Sequence, residues 1–225
     1  MKSNKKEIKL INITEIRFAP ELEFELPAKI DADKLIERGK TLKSWDVRHD
    51  GSLENGIELS PENSNHLYWN DDSLLQIKEI LALCRVYRAK AKNNCGLHIH
   101  INAKNLTDAQ ILSIIKEWVH RQKYIAKRFN VSKERLSETC QLLPKPEIHK
   151  LTEKSIHEFR NNVKRSFYGY GYLDQKYYSL NVSHLPKNNY QTLEFRLFSS
   201  TANFKEIKEA VYFVLNFIKD ACERE

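Results

Sequence analysis

Acidic, imidazole and guanidinium side chains occur in pairs, two positions apart, in three separate segments of the sequence. The pairs are Glu21 and Glu23, His98 and His100, and Glu194 and Arg196. Because alternate side chains of a β-strand point to the same face, the members of each pair would lie on one surface, about 6.5 to 7 Å apart along the strand. If these strands are near neighbours in a sheet, their polar side chains gather on one of its faces.

Carboxylates that are crowded on one face repel one another, which raises their pKa values unless a cation neutralises them. A divalent metal does so, and oxygen ligands with one imidazole favour Mg²⁺ or Mn²⁺ over zinc. Each pair has a simpler explanation when it is taken alone: a solvated strand face, a hydrogen-bonded histidine pair, or a salt bridge between Glu194 and Arg196. The occurrence of all three pairs on polar strand faces favours a metal site.

Five segments alternate apolar and polar residues with the period of a β-strand. They span residues 16–26, 56–60, 96–102, 177–183 and 192–198. Helical periodicity predicts helices over about residues 32–38, 72–89, 107–128 and 152–164, and from about residue 204 onward. The apolar strand faces would bury against helices, so the pattern predicts an α+β fold with a curved, mainly antiparallel sheet and helices packed on one face.

We expect a single domain, residues 1–225, because the sequence has no internal repeat, linker or break in composition. No apolar run approaches the ~18 residues of a membrane span, and the basic residues 1–6 are not followed by the apolar core of a signal peptide. Four scattered cysteines without a CxxC pair predict reduced thiols. These features together predict a cytoplasmic protein.

The formal net charge of +7 at pH 7 would suit a nucleic-acid partner. The positive charge is diffuse, however, and its densest stretches, residues 121–135 and 145–165, fall in predicted helices and a loop. A solvated face is the commoner explanation of such stretches, and the phosphates of a nucleotide would satisfy the same charges. Nucleic acid is therefore a less favoured partner, and the sequence leaves the oligomeric state open.

Four motifs in a fixed order give the sequence a resemblance to a known family. They are residues 18–24 (FAPELEF), 45–52 (WDVRHDGS) with 56–61 (GIELSP), 95–100 (CGLHIH) and 192–201 (TLEFRLFSST). Each motif is weak alone, but the ordered set covers nearly the whole chain. In these motifs the sequence resembles the amidoligase family of the glutamine synthetase and glutamate–cysteine ligase superfamily, which implies a fold like the glutamine synthetase catalytic domain.

The resemblance implies two adjacent metal positions, each held by three side chains. The implied ligands are Glu23, Asp50 and Glu58 for the first metal, and Glu21, His98 and Glu194 for the second, on the nucleotide side. Arg196 would contact the transferring phosphate, which suits the planar fork of a guanidinium group. Glu23, Glu58 and Arg196 are the expected catalytic residues, while His98, Glu194 and Arg196 would hold the nucleotide.

The resemblance also implies an ATP- and Mg²⁺-dependent ligase, with Mn²⁺ as the alternative metal, that joins a carboxylate to an amine. A carboxylate is a poor electrophile, so such an enzyme first transfers the γ-phosphoryl group of ATP to it, and the amine then attacks the acyl phosphate. The expected partners are carboxylate and amine substrates such as amino acids, peptides or other modified biomolecules. The sequence has no G-x-x-x-x-G-K-[ST] phosphate loop, which agrees with nucleotide held by metals on a sheet.

Several further residues are weaker candidates. Lys176, Asn181 and Arg165 would reach phosphate or substrate, although solvent exposure is the commoner state of each. The segment of residues 168–172 (YGYGY) would serve as a lid over the site or as an aromatic surface turn. We expect a supporting or substrate-contacting role for His100, and a packed, unreactive thiol at Cys95.

Ala19 and Pro20 stand where the family usually has glycine. Pro20 has no amide hydrogen to donate, so it is best suited to an edge strand or to the first position of a strand. The sequence therefore predicts that the strand of Glu21 and Glu23 lies at an edge of the sheet or begins at Pro20.

Three other functions are compatible with the same residues. A metal-dependent nuclease or phosphoesterase would also use acids, a histidine and basic charge. A cupin-like iron oxygenase would use the HxH pair and a later glutamate, but few glycines and long helices between the strands disfavour a small β-barrel. The third alternative is a non-catalytic domain that binds a peptide or nucleic acid, for which failure to bind Mg-ATP would be the sign.

Overall fold

The computed structural model describes residues 12–42, 44–62, 66–161, 176–186 and 191–223. Its sheet consists of β1 (Phe18–Glu25), β2 (Trp45–Asp50), β3 (Gly56–Pro61), β4 (Gly96–Asn102), β5 (Leu180–Asn181) and β6 (Thr192–Ser199). Their order across the sheet is β2-β3-β1-β4-β6-β5, and each pairing between these strands is antiparallel. The predicted α+β class with an antiparallel sheet is confirmed.

The helices of the described residues lie between and after these strands. They are a 3₁₀ helix (Ile13–Glu15) and α1 (Ala32–Gly39), α2 (Asp71–Val86), α3 (Asp108–Arg128), α4 (Lys133–Glu138), α5 (Lys145–His149), α6 (Glu153–Asn161) and α7 (Phe204–Cys222). Side chains cap the long helices, since Asn70 accepts a hydrogen bond from the Ser73 amide at α2, and Thr107 and Gln110 form a reciprocal capping box at α3. These caps set where each helix begins.

Strand β1 lies in the interior of the sheet, between β3 and β4. It pairs with β4 through residues 18–22 and with β3 through residues 22–25. The prediction of an edge strand, or of a strand beginning at Pro20, is wrong. The Phe18 amide donates to the carbonyl of Leu67, and an amide at residue 20 would point to the same side of the strand. The pairing with β3 on that side begins only at residue 22, so the proline leaves no strand hydrogen bond unmade.

Helices α3 and α7 cover the apolar face of β4 and β6. Trp118 of α3 lies with its ring centroid 4.8 Å from that of Phe195, and Phe217 of α7 lies 5.3 Å from Trp118, both in edge-on contact. All three aromatic side chains are buried, and burial of each contributes about 2 kcal/mol to folding. Since Glu194 precedes Phe195 in the strand, its side chain points away from these helices.

The strongest periodic segments are those that the structure confirms most closely. Strand β4 has the predicted bounds, and β6 extends one residue beyond them. The segment predicted as a strand over residues 177–183 contributes only the two residues of β5, together with an isolated parallel bridge between Gln141 and Tyr178. Strand β2 and helices α4 and α5 were not predicted, because the polar residues 48, 49 and 50 interrupt the alternation of β2 and the two helices are short.

Some predictions fall outside the described residues: the lid over residues 168–172, the contact from Arg165 and the end of the helix expected to reach residue 164. Within the part of the chain that the structure describes, no helix is long and apolar enough to span a membrane.

Candidate active site

The register of the sheet brings the predicted acids and histidines onto one face. Strand partners share a face, and the Cα register pairs Glu23 with Glu58, Glu21 with His98, and His100 with Glu194. Two edge strands extend this row. Glu58 is also the partner of Arg48 on β2, and Glu194 is also the partner of Asn181 on β5. Every strand of the described sheet therefore contributes a polar side chain to the same face.

Arg196 lies at the centre of this face, at a position where β6 has a bulge. Leu97 pairs with Phe198 but Ile99 pairs with Phe195, so β6 has one more residue than β4 between these pairs. Arg196 lies in the bulge, and its Nη1 is 3.5 Å from His98 Nδ1. The carbonyl group of Arg196 accepts a hydrogen bond of 3.0 Å from Nη2 of Arg135, which satisfies a backbone oxygen at the irregular position.

Three side chains at the centre converge closely enough to share one metal ion. Ligand atoms of Glu21, His98 and Glu194 lie within 4.8 Å of one another, and among the described residues no other group of three or more acids, histidines and cysteines does so. His98 Nδ1 lies 2.7 Å from Glu21 Oε1 and 3.5 Å from Glu194 Oε1. His98 and Glu194 are both 2% exposed.

Glu194 has contacts on both of its oxygens. Oε1 contacts the guanidinium group of Arg196, while Oε2 accepts a hydrogen bond of 2.6 Å from Asn181 and lies 3.5 Å from Nε2 of His184. Burial opposes ionisation of Glu194, but the contact with His184 and the nearby positive groups hold its pKa well below the usual range. Glu194 is therefore an anion at neutral pH and can serve as a ligand without losing a proton.

Two neighbouring acids are shifted in opposite directions. Burial alone would raise the pKa of Glu21, but hydrogen bonds from His100 and His98 bring it well below its ordinary value. Burial raises the pKa of Glu58 to about 7, and the negative charge of Glu21 adds to that effect, while Arg48 opposes it. A bound divalent cation would remove this repulsion, so the pair provides a physical reason for a cation between these strands.

Glu23 is 9% exposed and lies beside a tightly packed glycine. Burial raises the pKa of Glu23, while the charge of His98 and the backbone amide of Gly96, which donates to its Oε2, oppose the shift. An added Cβ at Gly96 would lie 2.5 Å from both Arg135 Nη2 and His98 Nε2. The absence of a side chain at residue 96 lets Glu23, His98 and Arg135 approach one another.

Two other predicted site residues, Asp50 and Lys176, are not among the three converging ligands. Oδ1 of Asp50 accepts hydrogen bonds from the backbone amide and the hydroxyl group of Ser52, at 2.8 and 2.6 Å. Its Oδ2 is buried without a hydrogen-bond partner among the described residues. Lys176 is exposed, and its ammonium group lies over the ring of Tyr177, so the described contacts do not bring it to the acidic face.

The donor set fits a divalent metal. Two carboxylates and one imidazole converge, and on the same side of the sheet Asp50 Oδ2 is a buried polar atom without a hydrogen-bond partner among the described residues. The burial of Cys95 raises its thiol pKa to about 11, so it remains protonated and contributes no thiolate ligand. Oxygen-rich sites of this kind suit Mg²⁺ or Mn²⁺.

Three residues of the site were not found by sequence reasoning. Arg48 was overlooked because β2 was not predicted, although it stands two positions before Asp50. Arg135 lies in a basic stretch interpreted as solvated, yet the structure places it at 2% exposure. His184 follows a segment with a weak strand pattern, and no spacing in the sequence singled it out.

A comparison with protein-family models assigns the chain to a family. A family model described as "Putative amidoligase enzyme" matches residues 27–218. The chain belongs to this family. The match begins after β1, so Glu21 and Glu23 of the amidoligase-family chain lie outside it, whereas His98, Glu194 and Arg196 lie within. None of the curated proteins compared with the chain matches it.

Proposed function

We propose that the protein is an ATP- and Mg²⁺-dependent ligase that forms an amide or peptide bond through an acyl phosphate. The observation that carries the proposal is the convergence of Glu21, His98 and Glu194, with Arg196 beside them, on one face of the sheet of an amidoligase-family chain. The likeness of this sheet to the glutamine synthetase catalytic domain is part of the same proposal. So is a cytoplasmic location, which the four buried cysteines support, since none of them forms a disulfide among the described residues.

In the proposed reaction the γ-phosphoryl group passes from ATP to an oxygen of the acceptor carboxylate, which yields ADP and the acyl phosphate. The amine then attacks the acyl carbon, loses a proton and displaces inorganic phosphate. A metal held by Glu21, His98 and Glu194 would neutralise charge on the phosphate oxygens.

The chain's own side chains would orient the phosphates. Arg196 Nε is buried without an acceptor among the described residues, so it is a donor available to a transferring phosphoryl group. Asn181 and His184 hold Oε2 of Glu194, which fixes the direction of its carboxylate. The helices behind the sheet keep water away from the opposite face.

The test is ADP release from Mg-ATP in the presence of pooled carboxylates and pooled amines, with mass spectrometry of the products. We expect ADP release to require both pools, and the product to have the summed mass of one acid and one amine less water. Glu194→Gln should abolish release, because it removes an anionic ligand. Glu209→Gln is a matched control on an exposed ion pair with Arg128 and should leave release unchanged.

Two results would contradict the proposal. ADP and phosphate produced at the same rate without any carboxylate would indicate a phosphohydrolase. Absence of Mg-ADP binding in isothermal titration would indicate a binding domain without nucleotide chemistry.

A further inference from the structure

The three acids that the family resemblance assigns to a first metal have other partners in this structure. Glu58 contacts the guanidinium group of Arg48, Glu23 accepts the Gly96 amide, and Asp50 accepts the Ser52 amide. Ligand atoms of these acids do not meet the spacing that Glu21, His98 and Glu194 satisfy within the described residues. One metal position is assembled, and the other is not.

Arg48 brings a positive charge to Glu58, one of the three acids of the implied first metal position. It is the strand partner of Glu58, which is itself the partner of Glu23, so the three side chains form a row across β2, β3 and β1. Nη2 of Arg48 contacts Glu58, and Nη1 lies 3.0 Å from Asp46 Oδ2. The side chain of Glu58 is 17% exposed, so its charge needs a nearby positive partner.

We propose that Arg48 replaces the second metal ion, so that in the absence of nucleotide the protein binds one divalent ion, at Glu21, His98 and Glu194. Glu23, Asp50 and Glu58 form a latent site that a metal can occupy only when Arg48 no longer holds Glu58. This inference rests on the proposed function for the metal site, and it concerns stoichiometry and the role of Arg48. A guanidinium group is permanently charged, so Arg48 itself does not titrate in the neutral pH range.

The latent site has one feature that favours a metal once Arg48 is gone. Asp50 Oδ2 is buried and has no hydrogen-bond partner among the described residues, and Asp50 lies on the same face of β2 as Arg48. A released Glu58, together with Asp50 and Glu23, would make a set of three carboxylates. Arg48 is 52% exposed at the sheet edge, so its truncation leaves no buried cavity.

The experiment measures bound Mn²⁺ per chain by equilibrium dialysis and by the loss of the free-ion electron paramagnetic resonance signal, without nucleotide. We expect about one ion for the wild type and about two for Arg48→Ala. Arg48→Lys keeps the charge and should remain near one, as should the double variant Arg48→Ala/Glu58→Gln. Arg121→Ala, which removes an arginine paired with Glu117 on α3, is the matched control.

Each result distinguishes the inference from the proposed function. Two ions in the wild type would overturn the role of Arg48 while leaving the ligase proposal in place. A stoichiometry of one in Arg48→Ala, with circular dichroism like that of the wild type, would likewise overturn it. No bound ion in the wild type would contradict the metal site itself, and with it the proposed function.

Discussion

Arg196 combines a contact to Glu194 with a buried donor that has no acceptor among the described residues. If Arg196 stabilises the charge of phosphoryl transfer, Arg196→Lys keeps the positive charge but loses the planar fork. We expect kcat to fall about 100-fold, equivalent to roughly 2.7 kcal/mol of transition-state stabilisation, with a smaller change in the Kd of Mg-ADP. Steady-state kinetics and isothermal titration measure the two quantities. Unchanged kcat in the lysine variant would leave Arg196 with only a salt-bridge role.

The raised pKa of Glu58 should make the stability of the metal-free protein depend on pH. Burial and the charge of Glu21 raise its pKa from 4.5 to about 7, so the folded chain keeps a proton that the unfolded chain loses. The stabilisation from this proton is fully present below about pH 4.5 and is lost as the pH rises through 7. The glutamine of Glu58→Gln does not titrate. The free energy of unfolding of this variant, relative to that of the wild type, should therefore rise by about 1 to 3 kcal/mol between pH 5 and pH 8, since one pKa unit corresponds to about 1.36 kcal/mol.

Urea unfolding in the presence of a chelator, at pH 5 and pH 8, measures this difference. Glu209→Gln, on an exposed ion pair, should show no such trend. A constant difference between wild type and Glu58→Gln across the range would mean that the carboxyl group is already ionised at pH 5.

Side chains of this site can be predicted from the sequence when the pattern that reveals them lies within a single strand. Glu21 with Glu23, and His98 with His100, lie within single strands, and alternation alone assigns each pair to one face. Arg48 needs the register between β2 and β3, and Arg135 needs the packing of α4 against the sheet; neither is encoded in a short periodic pattern. The proximity of Arg196 to His98 depends on how β4 pairs with β6, which alternation within one strand cannot predict.

The first residue of strand β4, Gly96, lies where the surrounding packing leaves no room for a side chain. Gly96 contributes its amide to Glu23, and a Cβ there would overlap Arg135 and the imidazole of His98. Gly96→Ala should lower the free energy of unfolding by about 1 to 3 kcal/mol, through overpacking in a buried region. It should also weaken Mn²⁺ binding, because the imidazole must move.

Gly51 provides the matched control for this substitution. A Cβ at Gly51 would meet nothing within 4 Å, and neither glycine has a positive φ, so Gly51→Ala should change stability by no more than about 0.5 kcal/mol. Thermal unfolding with and without Mn²⁺ separates the two variants. Equal stability and equal metal affinity for both would mean that the backbone around residue 96 adapts at little cost.

The elements themselves were predictable to different degrees. Strand β4 has an apolar side chain at every second position and a buried helix layer behind it, so its sequence pattern is complete. Strand β2 lies at an edge and is polar at residues 46, 48, 49 and 50, which hides the alternation. The interior position of β1 was mispredicted because Pro20 was taken to need an unpaired side along the whole strand. In the structure, β1 has no pairing with β3 over only the few residues around Pro20.

At the scale of the whole molecule, the metal site and the fold are thermodynamically linked. Ligands that bind only the native state stabilise it by mass action, by about 2.7 kcal/mol at 100 times their Kd. We therefore expect Mg²⁺ and ADP together to raise the Tm by about 5 to 10 °C for a chain of this size. Differential scanning fluorimetry at saturating concentrations tests this, with His98→Ala as the control that should respond little. An unchanged Tm of the wild type would argue against a nucleotide site.

The strand order also governs when the site can form. Glu21 lies on the first strand and Glu194 on the last, and β4 stands between them in the sheet. A partly folded chain without β6 therefore lacks one of the three converging ligands, and contacts between such distant segments form slowly. If β6 docks after the transition state, Mn²⁺ leaves the refolding rate unchanged and slows unfolding, which stopped-flow mixing can measure. The ion then behaves as a kinetic lock: it sets how long the native sheet persists while having no influence on how quickly the sheet is reached.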